Sequence, residues 1–302
     1  MSPFTPSDER GRLLLVDGHA YAYRAFYAIR SLTSPTGEPT NAIYGFIKML
    51  AKMREAVEPT HLAVIWDGGL AAERKKLLPE YKAQRPSMPE DLDKQISGIQ
   101  TYLDAANVPS FCQDGVEADD LIATVARMAA QEKYRVIIAS SEKDFMQLVS
   151  PQIGLLNPND KTETIWTAEQ VHTKTGVSPG QIIDWLSLIG DSVDNIPGVP
   201  GVGTKTATEF LQTFGTIDEL FRRLPEVKTE RLRRNLEASR DLLARNRQLI
   251  ALNGNLATSI EPEQLRLGNP VAEQLRSLYQ SWGFKRLSEE LPSNELSQSV
   301  LW

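Results

Sequence analysis

Gly115-Val116-Glu117-Ala118-Asp119-Asp120-Leu121-Ile122-Ala123 places three carboxylates within four residues and then runs apolar through Ala130. At the helical turn angle Glu117 and Asp120 share a face while Asp119 points elsewhere. All three converge only if a helix begins here, with Glu117 still in the entering loop. Two carboxylates about 5 Å apart repel by roughly 3 kcal/mol at an effective dielectric near 20. A bound cation removes that cost. A helix start with acids in its first turn, favoured by the macrodipole, explains the same residues equally well. The flanking sequence has to separate the two readings.

Outward from this stretch, short apolar runs alternate with helical patterns. Arg135–Ala139 reads as a strand and ends at Ser140-Ser141-Glu142-Lys143-Asp144. Upstream, Arg12–Val16 is a strand ending at Asp17-Gly18, and Leu62–Trp66 is a strand ending at Asp67-Gly68-Gly69. Ile153–Leu156 is a further strand candidate. An aromatic helix carrying Tyr21, Tyr23, Arg24, Phe26 and Tyr27, an amphipathic helix over Asn41–Val57 and another near Leu92–Ala105 fill the intervals. This alternation predicts an α/β fold with a mostly parallel central sheet and helices on both faces. Ligands of such sheets bind beyond the carboxyl ends of the strands. Asp17, Asp67, Glu142 and Asp144 all stand at or just past such ends, which favours one shared acidic site. Residues 71–95, charged and broken by Pro79, Pro86 and Pro89, read as an exposed excursion with short helices.

From Ser178 onward helices take over. Pro179–Ile189 reads as one helix running into Gly190-Asp191-Ser192-Val193-Asp194-Asn195. Asp191 just past a helix C-terminus faces the wrong end of the dipole unless a cation is near; a glycine C-cap and an Asx turn are the plainer account. Ile196-Pro197-Gly198-Val199-Pro200-Gly201-Val202-Gly203-Thr204-Lys205 is a tight glycine hairpin opening a new helix. Such a hairpin brings backbone N–H groups and a helix N-terminus against a phosphate, with Lys205 in the first turn; a compact helix–helix corner is the alternative. Arg222–Arg247 holds nine basic residues against four acids, a solvated face or a phosphate-facing one. The expected division is a tail at 1–11, an α/β core at 12–178, a helical region at 179–287 and a flexible tail at 288–302.

Composition narrows the chemistry. With 24% charged and 41% hydrophobic residues over 302 positions, a globular core is within reach. No apolar run approaches the roughly 20 residues a membrane helix needs, and the polar N-terminus lacks a signal core, so the expected location is cytoplasmic. One cysteine, Cys112, excludes an internal disulfide and a multi-cysteine zinc site. His19, His61 and His172 are scattered, so any bound metal should be oxygen-loving, Mg²⁺ or Mn²⁺. Net charge is −6, but nine of the 39 acids are candidate ligands, and the other 30 face 33 basic residues. DNA binding is therefore compatible with the acidic total.

Together VDGHAYAYRAF, VIWDG, EYKAQR, GVEADDLIAT, SEKDFMQL and GDSVDNIPGVPGVGTKTA, in this order over roughly 12–285, resemble the bacterial 5′-nuclease family. These are the flap endonucleases and 5′–3′ exonucleases, also found as the N-terminal domain of bacterial DNA polymerase I. The resemblance implies a nuclease core, a helical arch near 71–95 and a helix–three-turn–helix DNA-binding element at the hairpin. It implies a first metal site at Asp17, Asp67, Glu117 and Asp119, with Asp120 nearby, and a second at Glu142, Asp144, Asp191 and Asp194. Lys82 and Arg85 would act on the scissile phosphate, with Tyr23 and Arg24 near the cleaved strand. Hairpin residues Gly198, Val199, Gly201, Val202, Gly203, Thr204 and Lys205 would grip duplex phosphate, with K⁺ on carbonyls around Val199 and Val202. Glu142 departs from the family's usual Asp; its extra methylene moves the carboxylate by about 1.5 Å, which Mg²⁺ geometry tolerates poorly.

The implied activity is metal-dependent hydrolysis of DNA at or near 5′ ends and flaps, selective for structure over sequence, by a stand-alone monomer. A PIN-like RNA nuclease shares the acids but does not need the hairpin. A non-catalytic structure-specific DNA-binding protein is favoured only by Glu142. A dinucleotide-binding enzyme needs a glycine fingerprint after the first strand, and Asp17-Gly18-His19-Ala20 is not one. The last residues, with Gln298, Leu301 and Trp302, resemble the short peptide by which bacterial repair proteins dock on the sliding clamp.

Overall fold

The computed structural model describes residues 10–158 and 164–291. Its centre is a six-stranded sheet of β1 (Arg12–Asp17), β2 (His61–Trp66), β3 (Ser110–Cys112), β4 (Arg135–Ala139), β5 (Ile153–Leu156) and β6 (Ile165–Trp166). The spatial order is β3-β2-β1-β4-β5-β6. The first five strands are parallel and β6 is antiparallel to β5. Strands β3 and β6 are not legible in the sequence: each is too short to show a periodicity, and pairing with a longer neighbour makes them strands.

Continuous apolar runs form β1, β2 and β4 because both sheet faces are covered. Leu13 and Leu15 enter one core with Ala63 and Ile65; Leu14 and Val16 enter the other with Leu62 and Val64. Val16 pairs with Val64 on one side and Ala139 on the other, so three strand ends finish level. Helices α1 (Gly18–Ala28), α2 (Asn41–Val57) and α4 (Glu90–Ala105) cover one face, with the short α3 (Ala72–Leu77) between α2 and α4 in the chain. Helix α5 (Ala118–Gln131) covers the other face. Thr40, at the start of α2, supplies no cap; Gln95 of α4 does, its Oε1 accepting from Ala42 N at 2.7 Å and Ile43 N at 3.3 Å.

The helical region comprises α6 (Ala168–Thr175), α7 (Ile182–Ile189), α8 (Thr204–Phe214), α9 (Ile217–Arg222), α10 (Glu230–Ala238) and α11 (Arg240–Ile250). A two-strand ribbon, β7 (Gly190–Asp191) with β8 (Ile196–Pro197), joins α7 to the hairpin before α8. This region has no separate core. Phe210, Leu211, Leu220 and Leu249 belong to one cluster with α5 and the α5-facing side of the sheet.

Four expectations change. The single helix over Pro179–Ile189 is a 3-10 turn, Pro179–Gln181, followed by α7. Residues after Ile250 do not continue the helical region: Arg266 bridges His61, and α12 (Ala272–Ser281) packs on α4 with α13 (Lys285–Glu289) after it. Leu275, Tyr279, Phe284 and Leu287 lie in the α1–α2–α4 core, and α13 carries order past 288. Residues 71–95 are not an exposed excursion either, since Arg74, Leu78, Tyr81 and Lys82 are buried. Helix α4, Glu90–Ala105, is the helix expected near Leu92–Ala105. Among the described residues no helix is long and apolar enough to cross a membrane. The clamp-like Gln298, Leu301 and Trp302 lie outside the described residues.

Candidate metal centre and nucleic-acid interface

The strand order reverses between β1 and β4, and the acids gather at the carboxyl ends of those two strands, where an open α/β sheet leaves a crevice. Asp17 ends β1 and caps α1, its Oδ1 accepting from Ala20 N at 3.0 Å and its Oδ2 from the Ser140 hydroxyl at 2.9 Å. Glu117 is the extended N-cap residue of α5, at φ −71° and ψ 141°. The three acids of this stretch do not all converge: Asp119 meets Asp17 and Glu142, while Glu117 shares the Arg74 guanidinium with Asp120 and lies outside that triad. Carboxylate oxygens of Asp17, Asp119 and Glu142 lie within 4.8 Å of one another. Asp67 sits half-buried beyond β2; its backbone N donates to His19 Nδ1 at 3.1 Å and its Oδ1 accepts from Gly69 N at 3.0 Å.

Asp144 opens a 3-10 turn at Asp144–Leu148 and lines a cleft of about 190 Å³ with Glu142, Asp191, Asp194 and Arg85. Burial, and then neighbouring like charge, raises the proton affinity of Asp17, Asp119, Glu142 and Asp144. Burial, then the charge of Asp17, pushes Glu142 up to about 7. Burial, then Asp119, Asp194 and Asp191, pushes Asp144 up to about 8. Asp119 is raised by burial and by Glu142 and Asp17, and Asp17 is raised chiefly by burial. All the donors are hard carboxylate oxygens, no His or Cys stands among the three clustered residues, and like charge is the cost of assembling them. That donor set fits Mg²⁺ or Mn²⁺.

Asp120, expected among the ligands, is turned out of the cluster. Its oxygens accept from Arg74 Nη1 at 2.7 Å, Arg74 Nη2 at 2.8 Å and Asn253 N at 2.8 Å, so it anchors structure. Asp191 closes the Asx turn that its sequence allowed, accepting from Val193 N at 2.7 Å, and still borders the cleft. Asp194 is buried and accepts from Arg85 Nη2 at 2.6 Å and from the Tyr81 hydroxyl at 3.3 Å.

Residues 78–85 fold as a turn onto these acids. Lys82 sits in the left-handed region at φ +55°, and its N donates to Asp194 O at 3.1 Å. Its buried Nζ lies 3.2 Å from Glu117 Oε2. Arg85 also reaches Glu142 at 3.9 Å. Tyr23 is half-buried on α1 and feels the charge of Arg85; Arg24 is exposed beside it. Sequence reasoning missed Arg74, Tyr81, Ser140 and His19. Nothing in AERKKL marks Arg74 as the buried cation, because Lys75 and Lys76 carry the same charge and are exposed.

The glycine hairpin is fixed by backbone contact. Gly190 (φ +76°) and Gly198 meet so closely that a Cβ on Gly198 would lie 2.3 Å from the Ile189 carbonyl. Asn246, fully buried on α11, donates to Ser187 O at 3.1 Å and Pro197 O at 2.7 Å. Val199 and Val202 point inward, while Gly201, Gly203, Thr204 and Lys205 are exposed. No side chain caps α8 at Gly203. Arg231 and Asn235 of α10 flank Gly201, so basic α10 borders the hairpin.

Two family profiles match the chain: the 5′-3′ exonuclease N-terminal resolvase-like domain over residues 12–176 and the 5′-3′ exonuclease C-terminal SAM fold over 177–273. A 5′-3′ exonuclease of Aquifex aeolicus is 36% identical over 280 residues, covering 92% of this chain and 94% of that protein. DNA polymerase I of Pseudomonas aeruginosa is 39% identical over 286 residues, covering 92% of this chain and 31% of that protein. The chain thus spans about a third of the length of the polymerases it matches. Among solved structures, T5 5′-exonuclease with bound zinc aligns at TM-score 0.67 and 22% identity over 92% of this chain and 97% of that one. The catalytic core of Rad2 with DNA aligns at 0.61 and 15% identity over 95% and 93%. At these identities the likeness is one of fold.

Proposed function

Because the chain belongs to the 5′-3′ exonuclease family, we propose that it is a divalent-metal-dependent 5′ nuclease that hydrolyses DNA phosphodiesters at 5′ ends and 5′ flaps during replication and repair. The observation that carries this reading is the convergence of Asp17, Asp119 and Glu142 at the crevice, beside the cleft that Glu142 shares with Asp144, Asp191 and Asp194. The T5 flap endonuclease, a structural neighbour, has been solved with DNA and metal ions. Bound to these carboxylates, Mg²⁺ or Mn²⁺ would supply Lewis acidity for attack by water and departure of the 3′-oxygen.

The protein's own groups do the rest. Lys82, paired with Glu117, and Arg85, paired with Asp194, would meet a phosphate entering the cleft and stabilise its developing charge. Tyr23 and Arg24 on α1 flank the cleaved strand. Exposed backbone at Gly201 and Gly203, with Thr204 and Lys205, holds duplex phosphate without reading bases, so selection is for structure. Carbonyls around Val199 and Val202 are the candidate seat for K⁺. The clamp reading of Gln298, Leu301 and Trp302 is tested by deleting residues 298–302 and measuring clamp affinity.

The direct test is an Asp119→Asn, Asp144→Asn double variant assayed on a labelled 5′ flap with Mg²⁺, Mn²⁺ or chelator. Cleavage should vanish while flap binding persists, and single-stranded RNA should be a poor substrate of the parent. Undiminished flap cleavage by the double variant would refute the metal assignment.

A further inference from the structure

We infer that Arg74 is a positioning residue for metal binding: it fixes the Glu117 carboxylate and ties it to the chain leaving the helical region. Its side chain is buried, and every N–H of the guanidinium has a partner. Nη1 donates to Glu117 Oε2 at 2.7 Å and to Asp120 Oδ2 at 2.7 Å. Nη2 donates to Asp120 Oδ1 at 2.8 Å and to Ala251 O at 3.2 Å, and Nε donates to Leu249 O at 3.0 Å. One side chain thus joins α3, the start of α5 and the exit of α11. A planar fork with five donors is the group suited to this; a lysine ammonium offers three donors from a point.

The surroundings fix the fork in turn. Asn253 N donates to Asp120 Oδ1 at 2.8 Å, the Thr124 hydroxyl to Asn253 O at 3.0 Å, and Gln147 Nε2 to Ile250 O at 3.0 Å. Glu117 is the N-cap residue of α5, where backbone geometry alone leaves its side chain free to rotate. Arg74, Tyr81 and Lys82 remove that freedom: all three contact Oε2, and among the described residues Oε1 meets only Ala71 N, at 3.4 Å. The carboxylate therefore presents Oε1 as the less committed oxygen. Partners one step removed from a metal ligand typically change metal affinity or activity about 10–100-fold when lost.

This rests on the proposed ligand role of Glu117, and the experiment separates the two. Mn²⁺ alone is titrated calorimetrically into the full chain without DNA, for the parent, Arg74→Lys, Glu117→Gln and the double variant. Arg74→Lys should weaken Mn²⁺ about 10-fold or more, and the double variant should be no weaker than Glu117→Gln. Flap binding in chelator should stay within about twofold of the parent. If Glu117→Gln weakens Mn²⁺ but Arg74→Lys does not, the positioning role is wrong. If neither changes the isotherm, Glu117 is not a ligand, and the metal reading of that residue fails first. Should Arg74→Lys not fold, Asp120→Asn is read instead: it unseats the fork from the other side and should weaken Mn²⁺ in the same direction, whereas an unaltered isotherm with a lowered Tm would mean a purely architectural arginine.

Discussion

The Lys82 ammonium lies 3.2 Å from Glu117 Oε2 and 4.0 Å from Asp194 Oδ2, so one cation spans the two groups of carboxylates. Its side chain is only 3% exposed, which means it competes for the same charge that a divalent ion would neutralise. Removing it should therefore help metal binding and harm chemistry. Lys82→Met should bind Mn²⁺ several-fold more tightly in the absence of DNA, yet cleave a flap roughly 10²–10³-fold more slowly, the usual cost of losing one transition-state charge contact. Calorimetry and single-turnover cleavage check the two halves separately. Weaker Mn²⁺ binding would show that Lys82 supports the site instead of competing in it.

Raised carboxylates give a sign to the pH dependence. Glu142 and Asp144 ionise near 4 in the unfolded chain and at about 7 and about 8 when folded. Between those limits the folded state binds more protons, so stability falls as pH rises. In chelator, Tm should decline from pH 5 to pH 8; Mg²⁺ should flatten the decline, because it favours the ionised form. Apparent Mn²⁺ affinity should rise across the same window. A Tm that climbs with pH in chelator contradicts the electrostatic picture of the site.

Gly198→Ala tests the hairpin without touching the acids. The added methyl would meet the Ile189 carbonyl at 2.3 Å, backbone that has no rotamer to yield. Stability should drop by about 1–3 kcal/mol. Flap affinity in chelator should weaken, while Mn²⁺ binding without DNA stays at the parent value. Loss of metal binding together with DNA binding would mean that the two sites are not separable.

Lys205 is 91% exposed and its nearest acid, Glu209, is 4.0 Å away, a pair worth little in water. Its charge is therefore available to phosphate. Lys205→Ala should weaken flap binding and make the log–log salt slope shallower by about 1. An unchanged slope removes Lys205 from the interface.

Strands β1, β2, β4 and β5, helices α2 and α4, and the clustering of acids past strand ends were legible in the sequence, because apolar runs and periodicity are local properties. The glycine hairpin was legible for the same reason: its residue types specify a tight backbone path. Asp120 was misassigned because three acids in sequence look alike until one of them finds a guanidinium. The segment 71–95 was read as exposed because proline and charge usually mean solvent, yet Leu78 and Tyr81 enter the α5-side core and Lys82 is buried against Glu117 and Asp194. Residues 251–289 looked like trailing helices, and their return to the α/β layer depends on contacts with residues far away in the chain.

By itself, then, the sequence determined which elements form and which carboxylates stand at their ends, since strand length, helix period and turn chemistry are set within a few neighbouring residues. Only the tertiary structure decided which of those carboxylates face one another and which are claimed by Arg74, Lys82 and Arg85. Facing and pairing depend on where distant segments meet, and burial makes an unmatched charge too costly to leave without a partner.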